Sequence, residues 1–481
     1  MTQVIQDNER LTSPSLEPSL QPLDKHKRID ALDILRGLAL VGILLMNVEW
    51  FNRAITSLGQ ADASLTGIDH AIGWLIRCFV EGKFYKLFAL IFGMGFAVML
   101  LRAKQAGRPF GAWFTRRMLV LWFIGMAHMI FLWGGDILHD YALAGFVLLA
   151  WVTYKKSDNP RAYLKLALTW LMIPIFIVSF GGAIFGMVLN DTKYQDMWQS
   201  ELAVYNAVEQ QFTHGVADDT LANENIQERT SEDSSQAMST NEETNAQAIA
   251  EAIQQRKDVE ADVLEEDTAF TQESYWKATE YRIGFTGFML MFSPVMALVV
   301  LMPIFILGFW LVITEKITKH QQNQTFFKTL ARVGLMVGIP LNIASILIIQ
   351  HPAAGISGVL QGVGQILFFI GQYILSAGYL GLVVCALNKH RWQKILSVFT
   401  PMGQMALTNY LMHSVILTSI FYGYAGGQYG EISRAPQMGL VFGIIILQLI
   451  FSKWWLNRYR FGPMEWLWRS LTYKKRQPMK L

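Results

Sequence analysis

The chain alternates long apolar runs with short polar connections, broken once by a long polar block. Runs able to cross a bilayer, ~20 residues each, fall at 31–51, 84–103, 114–134, 137–154, 162–189, 283–313, 327–350, 357–387, 402–422 and 437–456. The run at 137–154 is short and begins with polar residues. The stretch 68–81 is too mixed for a span and reads as a re-entrant or interfacial helix leading into the second one. The polar block, 190–280, shows no strand alternation; 245–263 suits a surface helix, and 218–245 has the composition of a flexible segment. The first 29 residues are polar, carry Pro14, Pro18 and Pro22, and lack the apolar core of a cleavable signal peptide. The pattern predicts an all-α, polytopic integral membrane protein of about ten transmembrane helices. A disordered tail (1–29) precedes a bundle of five spans (30–189). An acidic insertion (190–280), helical or flexible, leads to five more spans (281–460) and an amphipathic C-terminus (461–481).

Composition sharpens this. Of 481 residues, 52% are hydrophobic and 16% charged, against about 25% charge in soluble domains. The mean hydropathy of +0.29 averages two unlike parts. A soluble enzyme, a disordered chain and a disulfide-stapled secreted domain are excluded. Cys78 and Cys385 sit near apolar segments and make no disulfide framework.

Charge orients the spans. Residues 190–280 hold 21 Asp and Glu against 5 Lys and Arg, a net −16; the whole chain is +3, so the remainder carries +19. The basic residues gather in alternate connections: Lys25, Lys27 and Arg28; Arg102, Lys104, Arg108, Arg116 and Arg117; Lys155, Lys156 and Arg161; Lys316 and Lys319; Lys389, Arg391 and Lys394; and the C-terminal group from Arg458 to Arg476. By the positive-inside rule both termini lie in the cytoplasm and the acidic block outside. No basic patch interleaved with aromatics points to nucleic acid.

Ionisable residues within spans cost ~2.5–3.5 kcal/mol each on insertion scales and are functional candidates. Asp33 and Arg36 share a helix face, either as a binding element or as a structural ion pair at the cytoplasmic interface. Asn47 and Glu49 lie near the far end of the same run, and Asn47 can equally bridge helices. Arg117 and His128 are three helical turns apart on one face, ~16.5 Å along the axis at 1.5 Å per residue. That places a cation at the inner boundary and an imidazole deeper, as a tunnel for an anionic donor requires; the bland alternative is a snorkelling Arg and a packing His. Asp136, in the turn Trp133-Gly134-Gly135-Asp136, can orient His128 or His139 or cap the next helix. Lys83 and Lys86 stand at the outer mouth of the second span, followed by Gly93 and Gly95, which permit close helix approach. Asn409 and His413 share a face of the ninth run. Phe461 to Arg469 reads as an amphipathic interfacial helix. No zinc, P-loop, dinucleotide or Gly-x-Ser-x-Gly motif is present, and inverted repeats are not evident.

These stretches together resemble the YeiB family of bacterial inner-membrane proteins, a domain of unknown function (number 418). The matching pieces are Asp33-Ile34-Leu35-Arg36-Gly37 with Gly42-Ile43-Leu44 and Asn47; Lys83-Phe84 to Gly95; Arg117 to Gly145; Gly403 to Leu411; and Gly462-Pro463 to Trp468-Arg469. Gln404 stands where the family often carries Arg. The family is in turn similar to transmembrane acyltransferases, including the acyltransferase-3 group and the lysosomal heparan glucosaminide N-acetyltransferase. Arg117-x10-His128 matches the spacing of an Arg/Lys-x10-His element in the former, and Asn47 after Arg36-Gly37 is similar to an Asn of the latter. The latter's catalytic His has no counterpart at the same distance; His70 is the nearest.

The resemblance implies an inner-membrane protein moving an acyl group from cytoplasmic acyl-CoA to an envelope acceptor. His128, Asp136 and Asn47 would be catalytic. Arg117 and Arg36 would hold the donor, and Lys83, Asn409 and His413 would bind substrate; no metal is expected. The alternatives are a transporter or exporter of a small polar metabolite or lipid-linked precursor, and a membrane scaffold or sensor. Expected partners are the lipid bilayer, a small-molecule, glycan or lipid acceptor and, as one option, further copies of the chain in a homo-oligomer, with no nucleic acid. In a bacterial inner membrane the acidic insertion is then periplasmic and both termini cytoplasmic. Cysteine labelling checks this orientation. With the outer membrane permeabilised, Ser234→Cys should react with a membrane-impermeant maleimide in intact cells and Gly107→Cys should not; the reverse pattern overturns the orientation.

Overall fold

A computed structural model of the protein describes residues 30–55, 65–154, 159–173, 254, 257–258, 261–350 and 358–481. The expected tail, residues 174–189 of the fifth candidate span and most of the acidic insertion lie outside these residues.

Backbone polar groups in hydrocarbon must be satisfied within the chain, so a spanning segment without a closed barrel is a helix. The described chain follows that rule. The helices are α1 (Asp30–Asn52), α2 (Gly67–Phe79), α3 (Phe84–Gln105), α4 (Gly111–Phe131), α5 (Leu138–Tyr154), α6 (160–173), α7 (261–271) and α8 (Tyr275–Val295). A π-helical segment, Met296–Leu301, leads into α9 (Met302–Ile313). Then come α10 (Gln324–Ile349), α11 (Gly358–Leu387), α12 (His390–Leu396), α13 (Thr400–Gln404), α14 (Ala406–Phe421), α15 (Arg434–Leu456) and α16 (Pro463–Tyr473). Among the described residues, 7 helical stretches are long and apolar enough to cross a membrane, and α5 and α14 are shorter apolar helices. The protein is an all-helical, multi-pass membrane protein; of the ten spans expected, the fifth lies largely outside the described residues.

The mixed stretch at 68–81 is a helix, α2, as expected, joined by a short turn to α3. Two boundaries differ from expectation, each for a local reason. The span expected from residue 283 begins at Tyr275, because the Ser274 side chain accepts from the Lys277 N–H and starts the helix. The run expected at 402–422 is broken at Met405 into α13 and α14. Met405 leaves helical geometry (φ −109°, ψ 35°), just after Gly403 is pressed against the α1 backbone.

Helix α1 is central, packed on α3, α13, α14 and α15. Leu35, Ala39 and Leu40 enter a core with Met94 and Phe96 of α3 and Phe305 of α9. At its C-terminal end, Glu49 is bracketed by Arg434 at 2.6 Å and Arg53 at 3.2 Å, which ties α1 to the start of α15. Helices α10 and α11 form a hairpin that pairs chiefly with itself and leaves Met336 and Leu347 facing outward. Pro294 and Pro303 flank the π segment, where the Met302 N–H reaches back to Ala297 O. The missing proline donors account for the widened turn.

The α1–α13 crossing depends on glycine. A Cβ at residue 403 would sit 1.8 Å from Asp33 O and 2.8 Å from Gly37 N. Gly403→Val should therefore push the two helices apart, costing ~1–3 kcal/mol as overpacking does and lowering the melting temperature of the purified protein. Gly443→Ala, with open space at its Cβ position, should leave it unchanged; equal melting of both variants would contradict the crossing.

Candidate functional site

A cavity of about 320 Å³ lies among α1, α3, α4, α5, α13, α14 and α16. At the end where α1 and α4 begin and α3 finishes, its lining includes Arg36, Arg102, Arg117 and Arg469, with Asp33 and Glu465 as the acids. Arg36 Nη1 donates to Asp33 Oδ1 at 2.7 Å, the spacing-based pair. Three polar atoms there, Arg117 Nε, Asp33 Oδ2 and Trp113 Nε1, are buried and unpartnered among the described residues. Further in, the walls are apolar and aromatic, with Leu40, Ile43, Phe88 and Phe92. The cavity stops at Ile137, Leu138, Tyr141 and Tyr410. It can therefore take an anionic head at one end and an apolar arm along its length.

Just beyond that inner end runs a buried polar chain. His128 Nδ1 lies 2.8 Å from Asp136 Oδ1, and His128 Nε2 lies 2.7 Å from Ser414 Oγ. Asp136 Oδ2 accepts from the His139 N–H at 3.1 Å and lies 3.1 Å from His139 Nδ1. His139 Nε2 lies 3.3 Å from Asp140 Oδ1, which accepts from the Ser293 hydroxyl. Gly125 makes the room: a Cβ there would stand 2.7 Å from Asp136 Oδ2 and 2.7 Å from His139 N. Asp136 thus both orients His128 and caps α5, the two roles left open by the sequence.

The other site expectations divide. Arg36 and Arg117 line the cavity. Asn47 is half-buried on α1 and is not in the cavity lining. Lys83, expected at an outer mouth, is fully buried; its Nζ donates to Arg77 O at 2.7 Å and lies 4.7 Å from the Phe368 ring. Lys86 is equally buried, among Tyr85, Phe369 and Tyr373. Asn409 and His413 face α15 instead of the cavity: Asn409 Nδ2 donates to Met402 O and Ser452 Oγ, and His413 Nε2 lies 2.8 Å from Gln448 Oε1. Ser414, Tyr410, Trp468 and Arg469 are additions. Ser414 carries no signal of its own in the sequence, whereas the amphipathic reading of 461–469 already held Trp468 and Arg469. Among the described residues no cluster of three or more His, Cys, Asp or Glu could hold a metal ion.

Residues 311–475 match the model of the family described as "Protein of unknown function (DUF418)". Nearly the whole chain is similar to "Uncharacterized protein YxaH" of Bacillus subtilis (strain 168), 28% identical over 470 residues, 96% of this chain and 98% of the relative. It is also similar to "Uncharacterized protein YeiB" of Escherichia coli (strain K12), 23% identical and covering 93% of this chain and 97% of the relative. The chain is thus similar to the DUF418 family through residues 311–475 and to these two relatives along nearly its whole length. A third relative, "Uncharacterized 39.9 kDa protein in amylase 3'region" of Bacillus acidopullulyticus, is 24% identical over 96% of this chain and 99% of its own length. No solved structure matches the chain.

The region matched to the DUF418 family holds a second structural knot, at the cavity's arginine end. Glu465, on α16, accepts from the Leu407 N–H at 2.6 Å, the Thr408 N–H at 3.1 Å and the Thr408 hydroxyl at 2.6 Å. It caps, from another helix, the α14 start created by the break at Met405. Helix α16 also docks on α4. Trp468 Nε1 donates to Arg117 O at 2.8 Å, and the Arg117 guanidinium lies 3.6 Å from the Trp468 ring centroid. Arg116 Nη1 donates to Thr472 O at 3.0 Å.

Burial pushes the Glu465 carboxyl above its ordinary value of 4.5, against the pull of its hydrogen-bond donors. The folded state then holds this proton more tightly than the unfolded chain. The group's stabilisation is full below the ordinary value and is lost as pH rises through the raised one. The melting temperature in detergent should fall across that window, and Glu465→Gln should flatten that part of the slope; an unchanged slope contradicts the assignment.

Proposed function

We propose that this protein is a membrane-embedded acyltransferase that takes its acyl group from acyl-CoA and passes it to an envelope acceptor. One observation supports this above others: a single cavity has arginines at one end and, just past the other, an imidazole aligned by a carboxylate. The residues present fit such a donor. Arg36, Arg102, Arg117 and Arg469 offer donors to phosphate, and Arg117 has a buried, unpartnered Nε. The apolar wall suits an extended arm. The donor supplies the activated acyl carbonyl. His128 accepts the proton of the attacking acceptor, and Asp136, on Nδ1, keeps the lone pair of Nε2 available for it. With the expected orientation, the arginine end faces the compartment that holds CoA.

Thermal shift of the purified protein tests the reading. Acetyl-CoA and longer acyl-CoAs should stabilise it, by about 2.7 kcal/mol at 100-fold over the dissociation constant. Arg117→Ala should weaken binding at least tenfold, about 1.4 kcal/mol, and Lys453→Ala, remote from the cavity lining, should not. Absence of any shift with the unmutated protein overturns the donor assignment. Solute movement in reconstituted vesicles without such a shift would establish the transporter alternative.

A further inference from the structure

The hydroxyl of Ser414 has no role in a mechanism where His128 acts directly on the acceptor, yet its placement is specific. On the same helix, Thr418 and Ser419 turn their hydroxyls back to the carbonyls of Ser414 and Val415, four residues earlier, as helical Ser and Thr commonly do. Ser414 instead reaches across to α4 and lies 2.7 Å from His128 Nε2. His128 Nδ1 is held by Asp136 Oδ1, while Oδ2 of the same carboxylate takes the His139 N–H and lies beside its Nδ1. Ser414, His128 and Asp136 are each almost fully buried. Hydroxyl, imidazole and carboxylate stand in line with both links at hydrogen-bond distance, the arrangement that activates a serine oxygen.

The cavity is aimed at this line. Tyr410 lines it, and Ser414 follows one turn later on the same face of α14. Leu121 lines it, and His128 follows two turns later on the same face of α4. Ile137 lines it and is the chain neighbour of Asp136. The Tyr410 ring, 5.3 Å from the His128 ring, separates the cavity from the imidazole.

We propose that Ser414 is a nucleophile activated by His128 and positioned through Asp136, so that transfer runs through an acyl-serine; this rests on the acyltransferase reading. Ser414 Oγ attacks the thioester carbonyl, forming a C–O bond as the C–S bond breaks. The serine proton passes to His128 Nε2 and then to the departing sulfur, which leaves as the free thiol. An acceptor hydroxyl or amine then attacks the ester, gives its proton to His128, and Ser414 Oγ recovers it as the acyl group departs. Ser414 and His128 do not line the cavity, so the thioester reaches Ser414 when the Tyr410 ring turns aside, and its return keeps water from the ester between the two steps.

A small lipophilic fluorophosphonate tests the nucleophile without any donor. Incubated with the purified full-length protein, it should modify Ser414, located by peptide mass spectrometry. His128→Ala and Asp136→Asn should slow that modification by at least about 10²-fold. Ser414→Ala should abolish it, and Ser414→Cys, which keeps the side-chain shape if the alanine variant folds poorly, should move reactivity to a thiol-directed reagent. An unmodified Ser414 in a protein that shows the acyl-CoA thermal shift overturns the proposal and leaves the transferase standing. Modification at the same rate in His128→Ala also overturns it. Modification dependent on His128 in a protein without that shift supports the activated serine and removes acyl-CoA as its donor.

Discussion

A carboxylate inside an apolar bundle persists only where donors surround it, and Asp136 is the clearest case in this protein. One oxygen holds His128; the other takes the His139 backbone N–H and lies beside its ring. An isolated charge there would cost far more than any one of these bonds returns, so the partners must be held in place together. The turn between α4 and α5, the glycine at 125 and the faces presented by both helices follow from that requirement. The same logic repeats at Glu49, bracketed by two arginines, and at Glu465, which closes the exposed start of α14. Each joins helices distant in the sequence, so each acts as a fastening between parts of the bundle.

Satisfied groups make the unsatisfied ones informative. Around the arginine end of the cavity, Arg117 Nε and Asp33 Oδ2 are buried without partners among the described residues. Native interiors leave few such groups without a reason, such as a water or a ligand. Arg117 Nε, a donor among four cavity arginines, suits an anion, whereas Asp33 Oδ2, an acceptor, calls for a donor group. Trp468 lies against Arg117 and limits the ways its guanidinium can swing. That ordering lowers the entropy lost when an anion binds.

Much of the fold was legible because lipid imposes one rule along the whole chain. Run length gave the helices, and the i, i+3 spacing of Asp33 and Arg36 gave their ion pair. Helical arithmetic placed Arg117 and His128 on one face, and the structure sets the cavity and its continuation along that face. What failed needed knowledge of which helices meet. Asn409 and His413 share a face, as their spacing requires, but that face meets α15 rather than the cavity. Lys83 looks exposed at a helix end until α11 covers it. The break at Met405 comes just after α1 presses against Gly403, a contact with no local signature. Ser414 was overlooked because a serine in a helix usually bonds its own backbone; only the arrival of α4 gives it an imidazole.

The polar chain also bears on where the π segment of the α8–α9 unit falls. Ser293 must meet Asp140, which in turn lies against His139, and a straight helix carries side chains at a fixed 100° per residue. A π turn adds a residue to the turn and shifts the register of everything after it. Placed from Met296, two residues after Pro294, it lets the first half of the unit keep Ser293 on Asp140. The second half meanwhile presents Phe305 to Phe92 and Tyr141, which wall the cavity. One irregular turn thus serves two demands that a regular helix would set against each other. The hydrogen-bonded line from Ser414 through His128, Asp136 and His139 to Asp140 and Ser293 touches α14, α4, α5 and α8. A shift in any of these helices moves the imidazole relative to the serine, so the geometry on which activation of Ser414 depends is a property of the whole bundle.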